Sequence, residues 1–512
     1  MIKFRVAALC GAVFCLAAAW ETAKLSGGPW RSPLSFITFV TGVTVSFPLL
    51  LLALAPESTC RQLLRYGGSW RDSLQNTKIP PGRWVGRLLM VLGLTTYVFL
   101  VLIYLPRQIP PEGNDQESYL ILAGEIRDRG GPIGCLRDLF QGRFAEANRH
   151  PLYPMLLSYC PTYEGGKRLS ALLGGITLVV LTVLIGRKMG ELTGGLFCVL
   201  LATNGAFLYV STLVACETLV VLCAGVAWLC FVPKRKVGDA GAHSALQAPG
   251  QNESSRSKMA LPIFAALLGA LYGTMYLVKA HAILLIVGCA IWLIAHYGWR
   301  IRQWKVLSTA VLMFLIGFSV MASPLLVRNV VRYGQPLFNV NGHLLFEDHY
   351  VDPVELAQRK TIREAAADYW RSHSLGQCIA REVQGLAWET FIIVRSLGPA
   401  PGDDGRVIFG FLLVVAGMVA VGVEPRSDRG LVAVWGLILL FFFAWYVPIA
   451  AGERFILPIL TPALAYGASG MIRLTAYWFA TTTLAGFTFW LIAGSIFWCT
   501  TTVILTYALL EL

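Results

Sequence analysis

The chain has 512 residues, 56% of them hydrophobic and only 14% charged, with a mean hydropathy of +0.62 and a formal net charge of +13. A soluble protein of this length would hold several domains with well-charged surfaces, and this composition excludes that class. The basic excess shows no stripe of cations with interleaved aromatics, so it speaks for cytoplasmic loops and anionic lipid rather than nucleic acid.

Apolar stretches long enough to cross a hydrocarbon core recur from end to end. Backbone groups in lipid must be satisfied within their own segment, which makes these stretches helices. The fold expected is all-α: a polytopic helical membrane protein with roughly 11–14 transmembrane helices. Phe4 to Trp20 reads as a signal peptide or as a retained helix, and Pro33 to Pro56 as a second span. The loop carrying Arg61, Arg65, Arg71, Lys78, Arg83 and Arg87 is cytoplasmic by the positive-inside rule. Leu88 to Leu105 then delivers the loop 106–165 to the outer face.

Eight acidic residues lie from Glu112 to Glu164 in a chain otherwise poor in charge. Within that stretch, Gln116 to Arg129 places Tyr119, Leu122, Ala123 and Ile126 at helical spacing, opposite Glu117, Glu125 and Asp128. This predicts an amphipathic helix lying along the membrane interface and ended by Gly130-Gly131-Pro132. Further spans follow at Leu169 to Ile185, Leu192 to Tyr209, Leu213 to Phe231, Leu261 to Val278, Ala282 to His296 and Leu307 to Leu326. The link 233–258 reads as a flexible cytoplasmic loop, and Lys279-Ala280-His281 as a tight outer turn. Residues 330–405 form an outer helical excursion, because Trp370, Trp388 and Phe391 need burial. Val407 to Val423, Leu431 to Pro448, Ile456 to Ile472 and one or two spans in 476–510 complete the chain. Four regions result: 1–86 with two N-terminal spans and the basic loop, a core 87–329, the excursion 330–405, and the C-terminal helices 406–512. Most cysteines fall in apolar runs and no CxxC pair occurs, while Cys135 and Cys160 share the outer side and are open to disulfide pairing.

Candidate chemistry gathers on that outer side. Asp115 is placed either as the N-cap of the interfacial helix or as a general base, with Glu117 in the first turn. A sugar donor with a phosphate leaving group needs one such base, and cations to receive the phosphate. Lys279, Arg328 and Arg454 stand at outer ends of spans, where snorkelling to headgroups is the competing explanation. Glu217 is an acid beside apolar surroundings, and His150-Pro151-Leu152-Tyr153-Pro154 reads as a rigid turn or a pocket wall. No metal, P-loop or dinucleotide motif is present; no cofactor is expected, and the sequence leaves a divalent metal open.

In order, these pieces are Asp115-Gln116-Glu117-Ser118-Tyr119-Leu120, Arg149-His150-Pro151-Leu152-Tyr153-Pro154, and Cys216-Glu217-Thr218-Leu219. Then come Pro324-Leu325-Leu326-Val327-Arg328-Asn329, Gly334-Gln335-Pro336 and Glu453-Arg454-Phe455-Ile456-Leu457-Pro458. Over roughly residues 87–475 the set resembles the GT-C glycosyltransferases. In particular it resembles bacterial relatives of dolichyl-phosphate-mannose protein mannosyltransferases and of the lipid A aminoarabinose transferase (families 39 and 83). The resemblance implies an inverting transferase that moves a sugar from a polyprenyl-phosphate donor to a lipid, glycan or protein acceptor. It also implies a site at the periplasmic face of a bacterial inner membrane. It makes Asp115 the base with Glu117 in support, and Lys279 and Arg454 the donor-phosphate cations, to which position adds Arg328. Tyr119, Arg149, His150, Tyr153, Glu217 and Glu453 would form the pocket. Two features depart from the pattern: the two spans before Leu88 are extra, and the acids are Asp-x-Glu rather than adjacent. The rival readings are a secondary transporter or lipid flippase of the envelope, and a non-catalytic assembly factor. The transporter would prefer charges near the bilayer midplane and inverted halves.

Overall fold

A computed structural model describes residues 69, 72–74, 82–109, 111–232, 254–297, 304–400, 403–423, 428–478 and 484–511. The expected N-terminal spans at 4–20 and 33–56, and most of the loop 233–258, lie outside these residues. Among the described residues the regular elements are helices, with one isolated β-bridge between Asn204 and Pro399. Among the described residues, six helices are long and apolar enough to cross a membrane, and four shorter apolar helices of 10–17 residues accompany them. The chain is an all-α polytopic membrane protein.

The helices run in order as α1 (Arg83–Tyr104), α2 (Asp115–Asp128), α3 (Gly131–Phe140), α4 (Leu152–Leu157), α5 (Tyr163–Met189), α6 (Glu191–Ala202), α7 (Gly205–Thr212) and α8 (Glu217–Phe231). They continue as α9 (Ser254–Val278), α10 (Ala282–Tyr297), α11 (Trp304–Tyr333), α12 (Pro353–Arg359), α13 (Ile362–Ser372) and α14 (Leu375–Ser396). The last four are α15 (Asp403–Val423), α16 (Arg429–Tyr446), α17 (Leu460–Trp478) and α18 (Leu484–Glu511).

Several expectations are refined. The apolar run Leu192 to Tyr209 is two helices, broken where Thr203 and Asn204 leave the ladder. Asn204 is fully buried; its Oδ1 caps α7 by accepting Phe207 N–H at 2.9 Å, and its Nδ2 donates to the carbonyls of Ser396 (2.7 Å) and Gly398 (3.3 Å). The C-terminal segment carries one described helix, α18, rather than two. The amphipathic helix exists as α2, but its apolar face does not lie against lipid: Leu122, Ala123 and Ile126 are buried in the protein. Gly130, at φ +97°, makes the turn into α3 in a region that side chains rarely enter. In the excursion Phe391 is buried, whereas Trp370 is 56% exposed and stacks on Trp445. Cys135 and Cys160 are both free thiols, so the disulfide does not form; Cys135, on α3, is 2% exposed inside the core.

Without a hydrophobic drive between helices in lipid, small residues let the backbones approach. On α9 and α11 the approach is reciprocal. A Cβ on Gly269 would lie 2.0 Å from the Phe314 carbonyl, and one on Gly317 would lie 2.0 Å from the Ala266 carbonyl. The Trp228 indole (2.9 Å) and the Tyr466 hydroxyl (2.8 Å) both donate to buried Asp428, which ties α8 and α17 to the start of α16. Gly269→Val should therefore cost about 1–3 kcal/mol, read as a lower midpoint of thermal unfolding in detergent. Gly124→Ala, which meets nothing within 4 Å, should not lower it.

Candidate functional site

A cavity of about 1050 Å³ opens between α2, the loop before α4, the α9–α10 turn, residues 337–350 and the turn before α17. Its polar lining includes Asp115, Glu117, Arg149, His150, Glu217, Lys279 and Arg454. The lining also has an apolar share, with Ile283, Leu284, Leu337, Leu344, Leu345 and Phe442.

Asn114, not Asp115, caps α2: its Oδ1 accepts the Gln116 N–H at 2.9 Å. Asp115 is the first helical residue, and its carboxylate is free to face the cavity. Glu117 is used locally, its Oε2 accepting the Gly113 N–H at 2.7 Å. Arg149 Nη2 donates to Asp115 Oδ1 at 3.1 Å, and Arg454 Nη1 donates to Oδ2, so each oxygen has its own guanidinium. Burial pushes the Asp115 carboxyl up, but Arg454 and Arg149 together outweigh it and hold the group below the usual carboxylate range.

The segment that carries each arginine is braced from behind. Glu146 Oε1 accepts the N–H groups of Asn148 (2.7 Å) and Arg149 (2.9 Å), which fixes the loop that carries Arg149. Arg328 Nη1 donates to the Glu146 carbonyl at 2.6 Å while its guanidinium lies over Phe144 and Tyr333. Arg328 is 3% exposed and does not border the cavity. Glu453 likewise stands behind the cavity wall, paired with Arg395 (3.2 Å) and Arg406 (2.6 Å). It anchors the one-turn 3-10 helix Glu453–Phe455 that presents Arg454.

Lys279 Nζ donates to Glu217 Oε1 at 2.6 Å, and Glu217 sits in the first turn of α8, where the helix dipole favours a negative charge. The Tyr119 ring lies under the Arg149 guanidinium, and its hydroxyl meets Cys216 Sγ at 3.2 Å. Tyr153 is fully buried one layer deeper, edge-on to Tyr119 and bonded to Ser170 Oγ at 2.8 Å. His150 Nδ1 is bonded to the Tyr276 carbonyl, and burial lowers its pKa to about 4, so it is neutral at physiological pH.

Asp115, Glu117, Tyr119, Arg149, His150, Glu217, Lys279 and Arg454 therefore share one cavity, whereas Arg328, Tyr153 and Glu453 support it from outside. The cavity also contains Asn148, Asn339, Asn341, His281 and Tyr350, which the sequence reading did not select. Asn341 Nδ2 donates to Asn148 Oδ1 at 2.6 Å, joining the excursion to the loop of Arg149. A cluster of Asn at 339 and 341 beside Gly342, in an otherwise apolar stretch, was the available signal. Among the described residues no group of three His, Cys, Asp or Glu side chains is placed to hold a metal.

No family model and no curated protein matches this chain.

Glu453→Gln would remove the carboxylate charge that Arg395 and Arg406 share. Breaking a largely buried pair in this way should cost about 3 kcal/mol, measured as reduced thermal stability of the purified protein.

Proposed function

We propose that this chain is an integral membrane glycosyltransferase, GT-C-like, working at the periplasmic face of a bacterial inner membrane. It moves a sugar from a polyprenyl-phosphate donor to a hydroxyl of a lipid, glycan or protein acceptor. One observation carries the reading: a cavity carboxylate, Asp115, is held between two guanidiniums, one on each oxygen, in a cavity whose lining is part charged and part apolar. An amphiphile with an anionic head and a long apolar tail is the ligand that such a cavity fits.

Arg454, Arg149 and Lys279 are engaged with Asp115 and Glu217. An incoming phosphodiester competes for them. As guanidinium turns from carboxylate to phosphate, Asp115 loses the partners that hold its pKa down and becomes a better base. It then takes the proton of the acceptor hydroxyl while that oxygen forms a bond to the anomeric carbon from the face opposite the phosphate. The bond from that carbon to the phosphate oxygen breaks, its electron pair stays on the phosphate, and the configuration inverts. The leaving phosphate gains charge as it departs and needs no general acid. The cations therefore bind the transition state more tightly than the ground state. His150, neutral and tied to the Tyr276 carbonyl, shapes the wall without adding charge.

The test is transfer by the purified protein from a panel of polyprenyl-phosphate sugars. Asp115→Asn should reduce transfer by at least about 100-fold. It should keep or tighten binding of polyprenyl phosphate, because Arg149 and Arg454 lose their competitor. An Asp115→Asn protein that transfers at the normal rate would remove the base. Lys279→Ala and Arg454→Ala should each raise the donor KM by about tenfold or more, and unchanged donor kinetics in both would return them to headgroup snorkelling. Movement of intact lipid across a vesicle with no sugar released would favour the flippase instead.

The pH dependence has a defined sign. A carboxylate whose pKa is depressed stays ionised until the pH falls through that lowered value. The kcat/KM for donor, which reports the unliganded enzyme, should therefore show no acidic limb between about pH 5 and 7.

A further inference from the structure

We propose that His281 is the subsite for a hydroxyl group of the transferred sugar, an inference that rests on the function proposed above. His281 ends the short turn between α9 and α10 and borders the cavity. Its side chain is more than nine-tenths buried, with the imidazole edge-on to Phe443 (5.1 Å between ring centroids) and to Phe455 (6.0 Å). Phe443 and Phe455 are themselves stacked at 4.7 Å. Among the described residues, Nδ1 is buried without a hydrogen-bond partner. A buried polar nitrogen in an aromatic setting carries a desolvation cost that native structures rarely leave uncompensated. Nδ1 itself has almost no accessible surface, so a ligand in the adjoining cavity becomes its partner only as the ring turns toward it.

The electrostatics select the kind of ligand. Burial first, then the charges of Lys279 and Arg454 and the nearby His150, keep the His281 pKa well below its usual value. The ring is therefore neutral, with one nitrogen that donates and one that accepts. A hydroxyl group both donates and accepts, and matches it. A phosphate oxygen only accepts, and has Lys279 and Arg454 to go to.

Position agrees with chemistry. Lys279 lies two residues before His281, and Arg454 directly precedes the Phe455 ring that His281 packs against. The imidazole is thus set among the cations that would take the phosphate, next to where a sugar esterified to that phosphate must lie. A histidine serving only as an aromatic plug would be replaced without loss by phenylalanine, whereas a hydrogen-bonding one would not.

The experiment uses the full chain in nanodiscs and two ligands: bare polyprenyl phosphate and the same carrier bearing a hexose. His281→Phe should bind the bare carrier as the wild type does, and should lose about tenfold or more in affinity for the sugar-bearing carrier. His281→Asn, which keeps an amide near the position of Nδ1, should recover most of that loss. Among donors lacking single hydroxyls, one deoxy position should be discriminated against by the wild type and tolerated equally by His281→Phe. Unfolding midpoints of both variants serve as the check on folding. If folded His281→Phe binds both carriers as the wild type does, the subsite is overturned. If both variants lose affinity for the sugar-bearing carrier equally, hydrogen bonding is not the cause and the inference also fails. A wild-type protein that binds neither carrier would instead overturn the proposed function, and the inference with it.

Discussion

The pairing of Asp115 with Arg149 and Arg454 is the constraint on which the rest of the site depends. The two guanidiniums come from residues 34 and 339 positions away in the chain, so the arrangement exists only once the helical bundle has closed. Each is held in turn: Arg149 through Glu146 and Arg328, Arg454 through Glu453 with Arg395 and Arg406. Half-buried charges at the edge of an apolar bundle are tolerable only when paired and hydrogen-bonded. The cavity meets that condition internally, acid against base, and a ligand has to displace one internal partner to gain its own.

Local sequence carried the helices well, because apolar runs and helix ends are written in consecutive residues. What it did not carry was the identity of the neighbour. The face of α2 formed by Leu122, Ala123 and Ile126 was legible as buried, but a periodicity says only that water is excluded, and protein rather than lipid excludes it. Asn114 and Asp115 are adjacent and both good caps, so choosing between them required the hydrogen bond from Gln116 N–H. The break at Thr203–Asn204 was invisible for the same reason: the surrounding residues stay apolar, and the partners of Asn204 lie on a different helix.

The charged residues show the limit most clearly. Lys279, Arg328, Glu453 and Arg454 all look alike in sequence, as ions at the ends of spans. The bundle turns Lys279 and Arg454 into the cavity and puts Arg328 and Glu453 behind its wall, a choice set by rotation about each helix or turn and by distant partners. Spacing alone does not encode it. Residues drawn from the excursion, Asn339 and Asn341, escaped for a related reason. Their polar side chains have ordinary uses in loops, and only the contact with Asn148 brings them to the site.

The interruption between α6 and α7 has a consequence for how the protein is made. A chain enters the membrane from its N-terminus, and the Asn204 amide reaches the bilayer about 190 residues ahead of the carbonyls of Ser396 and Gly398 that accept its hydrogen bonds. Until those arrive, the break has polar groups with no permanent partner in a medium that offers little water. The early helices therefore cannot mature as a finished half to which later ones are added. The order of biosynthesis runs against the order of stabilisation, and a chain truncated before residue 396 should be a substrate for membrane quality control rather than a stable fragment. Closing that joint completes the bundle, and it also brings in the arginines that hold the turn of Arg454.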